Sequence, residues 1–137
     1  MIVRNCAGGI VFFEDKVFLL KNEKDEWVFP KGVMHNGDLP AEVAQKRVLD
    51  EGGIIAYIVS VAGDTSYEFY SVTRQKPICN KITWFVMKAD SEKFNISEKE
   101  KFQDGGFYNI EDALNMVTYS QDKALLNLSY KKYKEIT

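Results

Sequence analysis

The sequence predicts an α/β protein in which a mixed sheet lies between helices. Three observations predict it. Segments rich in β-branched and aromatic residues dominate the middle of the chain, and helical segments fall between and after them. No glycine-rich phosphate loop of the P-loop or dinucleotide type is present, which argues against a parallel doubly wound sheet. A length of 137 residues, with 45% of them apolar and 13% aromatic, fits one domain with a real core. The expected unit is therefore a single domain spanning 1–137.

The elements follow in order. Cys6–Phe13 is small, β-branched or aromatic and reads as a strand, Glu14-Asp15 as a turn, and Lys16–Leu20 as the returning strand. A charged loop, Asn22–Glu26, leads into a short strand, Trp27-Val28-Phe29, ended by Pro30. Lys31–Leu39 contains Gly32, Asn36 and Gly37 and reads as a loop. Pro40–Glu51 is the first predicted helix. Asp38 can cap it, Pro40 suits its first turn, and Gly52-Gly53 stops it. Three strands are expected at Ile54–Ala62, Tyr67–Thr73 and Ile82–Ala89. Ser91–Gly106 reads as a charged loop, and Ile110–Val117 and Gln121–Tyr133 read as helices.

Charge and cysteine usage exclude several classes. Eighteen Lys and Arg against 20 Asp and Glu give a net charge of −2, too little positive charge for a general nucleic-acid or membrane-surface binder. Cys6, Cys79 and the single histidine, His35, do not make a zinc cage. No apolar run approaches the ~20 residues that cross a bilayer. The N-terminus lacks a signal-peptide layout and the two thiols suit a reducing compartment, so the expected location is the cytoplasm.

The chemistry concentrates on the first helix. At about 100° per residue, Ala41, Ala44 and Val48 form a narrow apolar stripe with Glu51 beside it. Arg47 lies three residues before Asp50 and four before Glu51, within reach of both. Lys31 lies just upstream, on a loop with free backbone N–H groups. A basic residue on a turn facing a carboxylate-bearing helix suits a phosphate bridged to the helix by a divalent cation, since Mg²⁺ commonly sits between carboxylates and substrate phosphates. The competing reading is a solvated charged helix face.

Gly32 through Ile54, GVMHNGDLPAEVAQKRVLDEGGI, resembles the Nudix box. Gly32 matches the first glycine, Asp38 stands at the first Glu, and Lys46 stands at the Arg. Val48 matches the aliphatic position, Asp50 and Glu51 match the Glu-Glu pair, and Gly53 and Ile54 match the closing pair. The preceding Trp27-Val28-Phe29-Pro30-Lys31-Gly32 is similar to the W-x-F-P-K-G lead-in of diadenosine polyphosphate and related Nudix hydrolases. Phe107–Leu114 is similar to the family's aromatic and acidic start of a late helix.

The resemblance implies a mixed sheet between helices and hydrolysis of a nucleoside diphosphate linked to another moiety, such as a dinucleoside polyphosphate. It implies Mg²⁺ or Mn²⁺ held by Asp50 and Glu51, which are also the catalytic candidates. An acid from the 97–106 loop would join them. Glu100 is the choice there, with Glu98 and Asp104 as alternatives. Lys31 would hold phosphate, Tyr119 would contact the ligand, and Lys46 with Asp38 would brace the loop–helix–loop. The implied partner is a nucleotide-type small molecule, and a homodimer is allowed.

The charge sign is kept at every charged position but one: Arg47 stands where the family carries a Glu, and Asp50 is one methylene shorter than the family's Glu. The site can then be a hydrolase with a remodelled metal site, a binding module in which Arg47 pairs with phosphate, or a domain without a ligand. His35 is expected on the surface, and Trp27 and Trp84 in the core or a cleft wall.

Overall fold

The computed structural model describes residues 1–137. Its spine is β1 (Ile2–Phe13), whose alternating side chains face opposite ways. Ile10 and Phe12 enter one core cluster, and Val11 between them enters the other. One edge of β1 runs parallel to β6 (Lys76–Ala89) from Ile2↔Ile78 to Phe12↔Lys88. The other edge is divided. Near its end β1 pairs antiparallel with β2 (Lys16–Lys21), and further back it pairs with β4 (Lys31–Val33), Gly8 opposite Lys31. β3 (Trp27–Val28) extends the sheet beyond β2, and β5 (Ala56–Ser71) forms the far edge against β6.

The helices cover both faces. α1 (Pro40–Gly52) buries Ala44 and Val48 against Val11, Phe18, Leu20, Phe85 and Met87. α2 (Ile110–Met116) and α3 (Ser120–Ile136) close the opposite face. There Leu125, Leu126 and Tyr133 pack with Ile10, Phe12, Trp84 and Val86. The expected mixed sheet between helices is thus the observed architecture. No helix is long and apolar enough to cross a membrane.

Four local expectations are corrected. The strands expected at Ile54–Ala62 and Tyr67–Thr73 are one strand, β5. Its ladder to β6 shifts register between Ile58 and Ser60 and again between Val61 and Gly63, where Gly63 has φ 145°. Bulges let the strand bend without ending, so the Gly63–Ser66 interruption marks a bend and not a turn. The Lys31–Leu39 loop begins with three residues of strand. Asp104–Asn109, whose first three residues fall in the expected Ser91–Gly106 loop, is β7 and pairs with every residue of β2. Its own sequence, Asp-Gly-Gly-Phe-Tyr-Asn, is a weak strand former; the buried run Val17–Leu20 supplies the partner. Finally, Asp38 does not cap α1. Leu39 is the N-cap residue, and the Asp38 carboxylate accepts from the His35 N–H at 2.9 Å, closing the loop before the helix.

The helix ends as expected at Gly53, with φ 65° and its N–H donating to the Leu49 carbonyl at 2.9 Å. A Cβ there would lie 3.0 Å from the Asn95 carbonyl oxygen. Gly53→Ala combines left-handed strain with backbone crowding, so stability should fall by at least 1–2 kcal/mol or so. Urea unfolding of the two proteins checks it, and an unchanged midpoint would show that the turn relaxes freely.

Candidate functional site

β4 is the hinge of the site because its successive residues face opposite sides of the sheet. Gly32 faces α1. A Cβ on Gly32 would fall 2.5–2.7 Å from Cγ, Cδ and Nε of Arg47, so the absence of a side chain there is what lets the Arg47 stem lie against the strand. Arg47 then reaches Glu51. Its Nη2 donates to Glu51 Oε2 at 2.5 Å and its Nε donates to the same oxygen at 3.0 Å.

The loop after β6 completes this cluster. Asn95 N–H donates to the Gly52 carbonyl at 2.8 Å and Ser97 N–H donates to the Glu51 carbonyl at 3.1 Å, docking the loop on the end of α1. Glu100 thereby accepts from Arg47 Nη2 at 3.0 Å. Glu51 is only 3% exposed. Burial pushes its carboxyl up to about 7, against the pull of the Arg47 guanidinium and the Lys31 ammonium. Breaking such a buried pair by removing one partner typically costs about 3–5 kcal/mol.

Asp50 is not in this cluster. It accepts from Lys46 Nζ at 2.7 Å, on the more exposed side of the helix. Arg47 therefore touches Glu51 but not Asp50, and Lys46 braces Asp50 and not Asp38. The three acids expected to hold a divalent ion do not converge. Two of them close on a guanidinium and the third turns to a lysine, and no group of three His, Cys, Asp or Glu side chains gathers anywhere in metal-binding fashion. As arranged, the box residues do not fit a divalent cation, because Arg47 fills the place between Glu51 and Glu100.

Lys31 faces the other side, and it forms no ion pair. It lines a narrow slot of about 40 Å³, open to solvent, whose walls include Phe29, Ile82, Trp84, Tyr67 and Tyr119. Trp84 is fully buried, with its indole N–H on Thr65 Oγ1 at 2.8 Å. Tyr119, the expected ligand-contacting aromatic, lines the slot. Its ring stacks on Tyr67 with centroids 5.8 Å apart, and its hydroxyl donates to Glu26. Trp27 lies elsewhere, against Tyr108, and His35 is exposed on its loop.

Sequence reasoning missed Asp122. This residue in the first turn of α3 reads as an ordinary acid near a helix N-terminus. In the fold it is 8% exposed and lines the slot. Burial pushes its carboxyl up to about 6, with Lys31 pulling only partly the other way. The charge of Lys31 thus acts on both Glu51 and Asp122, which ties the slot to the box helix.

Two measurements probe this geometry. In Arg47→Glu the local charge of residues 47, 51 and 100 goes from −1 to −3. Calorimetry should find Mg²⁺ bound in the millimolar range or weaker by the unaltered protein and at least tenfold more tightly by the variant. Tight binding by the unaltered protein would show that Arg47 yields its place. For Asp122, the folded pKa lies above the unfolded one, so the folded state holds the extra proton between roughly pH 4 and 6, and stability falls as pH rises through that window. Asp122→Asn should therefore gain roughly 2–3 kcal/mol at pH 8 and almost nothing at pH 4. Denaturant unfolding at the two pH values checks it.

The comparisons bear on the fold and the family. An RNA pyrophosphohydrolase of Xylella fastidiosa is 28% identical over 104 residues, 69% of this chain and 52% of that protein. This chain therefore spans about half the length of that relative. An RNA pyrophosphohydrolase of Francisella philomiragia is 24% identical, covering 93% of this chain and 92% of its own. A C. elegans Ap4A hydrolase structure superposes with a TM-score of 0.70 at 17% identity, over 96% of this chain and 98% of that one. The E. coli dihydroneopterin triphosphate pyrophosphohydrolase gives a TM-score of 0.74 at 13% identity, over 92% and 95%. At such identities the structures establish a shared fold. The family model for the NUDIX domain matches residues 2–128, the whole sheet, α1, α2 and the first half of α3, and the chain belongs to that family.

Proposed function

We propose that the chain is a Nudix-type hydrolase, a pyrophosphohydrolase of a nucleotide-type small molecule. The substrate class is a nucleoside diphosphate linked to another moiety, with dinucleoside polyphosphates among the candidates. Its relatives by sequence carry the name RNA pyrophosphohydrolase, which supports cleavage of a pyrophosphate bond. The observation that carries the reading is Lys31, a cation with no ion-pair partner between the aromatic slot and the box helix. In this reading residues 1–137 act as one Nudix-like domain in the cytoplasm.

The roles of the chain's own residues follow from charge and proton affinity. Lys31 binds phosphate, and Arg47 offers a guanidinium that pairs well with phosphate oxygens. Glu51, with its carboxyl near 7, is the group beside them suited to accept a proton from water at neutral pH. Nudix hydrolases generally use a divalent metal. Because Arg47 holds Glu51 and Glu100 and Lys46 holds Asp50, no step here is assigned to an ion.

One observation favours a second reading. Arg47 closed on Glu51 and Glu100 is also what a binding module without turnover would keep.

The test is release of phosphate or nucleotide across diadenosine polyphosphates, nucleoside triphosphates, ADP-ribose and 5′-triphosphorylated RNA, each with Mg²⁺, with Mn²⁺ and with chelator. Turnover should appear with at least one substrate and rise with pH to a plateau above about 7. Glu51→Gln should lower it about a hundredfold or more and abolish that rise. Saturable binding without turnover under every condition would select the binding module.

A further inference from the structure

The slot on the α3 face contains a polar group that the reading above does not use. Most of its polar lining is already paired. The Trp84 indole N–H is on Thr65. The Gln121 amide bonds the Ser66 backbone in both directions, donating to its carbonyl at 2.8 Å and accepting from its N–H at 3.3 Å. The Tyr119 hydroxyl is on Glu26, and Tyr67 accepts from Asn80 at 3.0 Å. Two charged groups remain: the Lys31 ammonium and the carboxylate of Asp122, which is more than nine-tenths buried and accepts no hydrogen bond from the protein.

A buried carboxylate without a donor is costly to keep, and the protein offers it none. Its oxygens face the open slot, where the donor is water or a ligand that displaces it. The walls define its shape. Phe29, Trp84, Ile82 and Val28 line the slot together with the stacked Tyr67–Tyr119 pair, which suits a flat heterocycle. The Asp122 carboxylate, with two oxygens that accept side by side, suits a heterocycle edge carrying two adjacent N–H donors.

We propose that this slot is a base subsite for a 2-amino-4-oxo-pyrimidine edge, the edge of guanine and of pterins, with Asp122 accepting from the ring N–H and the neighbouring amino group. Adenine offers the carboxylate one amino group beside an acceptor nitrogen. Uracil offers one N–H between two carbonyls. Each would leave an oxygen of Asp122 unpaired or facing another acceptor, and a site built to pair such an edge rejects analogues lacking it. Lys31 lines the same slot and its charge also acts on Glu51, so phosphates attached to a seated base extend toward the box helix. The inference rests on the nucleotide-hydrolase reading and adds to it the identity of the base.

The experiment is calorimetric titration in chelator with GDP, ADP and UDP, on the wild type, Asp122→Ala and Asp122→Asn. GDP should bind the wild type at least tenfold more tightly than ADP or UDP. In Asp122→Ala that preference should shrink to within threefold, while ADP affinity stays within threefold of the wild-type value. Asp122→Asn keeps the size of the side chain and should weaken the preference in the same direction, with its melting curve confirming that it folds. Neopterin triphosphate against GTP separates the two sources of the edge, the tighter ligand naming the source.

ADP or UDP binding as tightly as GDP, or a guanine preference that survives Asp122→Ala, would overturn the proposal. A protein that hydrolyses nucleotides without base preference would overturn the subsite and leave the hydrolase reading standing. An Asp122-dependent guanine preference without turnover under any metal condition would do the reverse. Failure to bind any of these ligands would overturn both.

Discussion

The edge of β1 that faces away from β6 is shared between two strands, and the site depends on that division. Gly8 makes it feasible. A Cβ there would lie 2.5 Å from the Pro30 carbonyl oxygen and 2.5 Å from the Trp84 ring. Without one, the chain after Pro30 comes in against β1, and Gly9 N–H donates to the Pro30 carbonyl at 3.1 Å. β4 then takes the register that points Lys31 to one face and Gly32 to the other. A slip of one residue would exchange them. Lys31 would leave the slot, and Arg47 would meet a side chain where it now meets none.

Two buried carboxylates lie on either side of this strand, and the protein treats them differently. Glu51 has a guanidinium on it and a second acid sharing that guanidinium. It is compensated within the chain, and the compensation occupies the position in which the family pattern has another acid. The Asp122 carboxylate accepts no hydrogen bond from the protein, and only its backbone N–H is paired, with the Tyr119 carbonyl. An acid kept neutral or bare by burial lowers stability at neutral pH, and such a cost is commonly found where a site is prepared for something outside the chain. The first acid thus belongs to a closed cluster and the second to an open one, with Lys31 acting on both.

Much of this was legible in local patterns. The α1 stripe of Ala44 and Val48, the Gly53 stop and the order of strands and helices depend on neighbours a few residues apart, where periodicity and glycine geometry decide. The same holds for the Gly32 and Lys31 positions, given by a motif of fixed spacing. β7 and the continuity of β5 were not legible, because each is held by a partner strand distant in sequence. Asp38 was misjudged as a helix cap for a local reason, since it bonds one turn of loop earlier.

The partners of the charged residues divide in the same way. That Arg47 lies within reach of Glu51 follows from an interval of four residues on a helix, and the sequence alone determines it. The Lys46–Asp50 pair has the same interval and the same local origin. That Arg47 also closes on Glu100 and that Asp122 lies bare beside Trp84 and Tyr67 are decisions of the tertiary structure. Each depends on which loop docks on the end of α1 and which face of α3 meets the sheet. Those choices are made by burial summed over the two cores, which no short stretch of sequence contains.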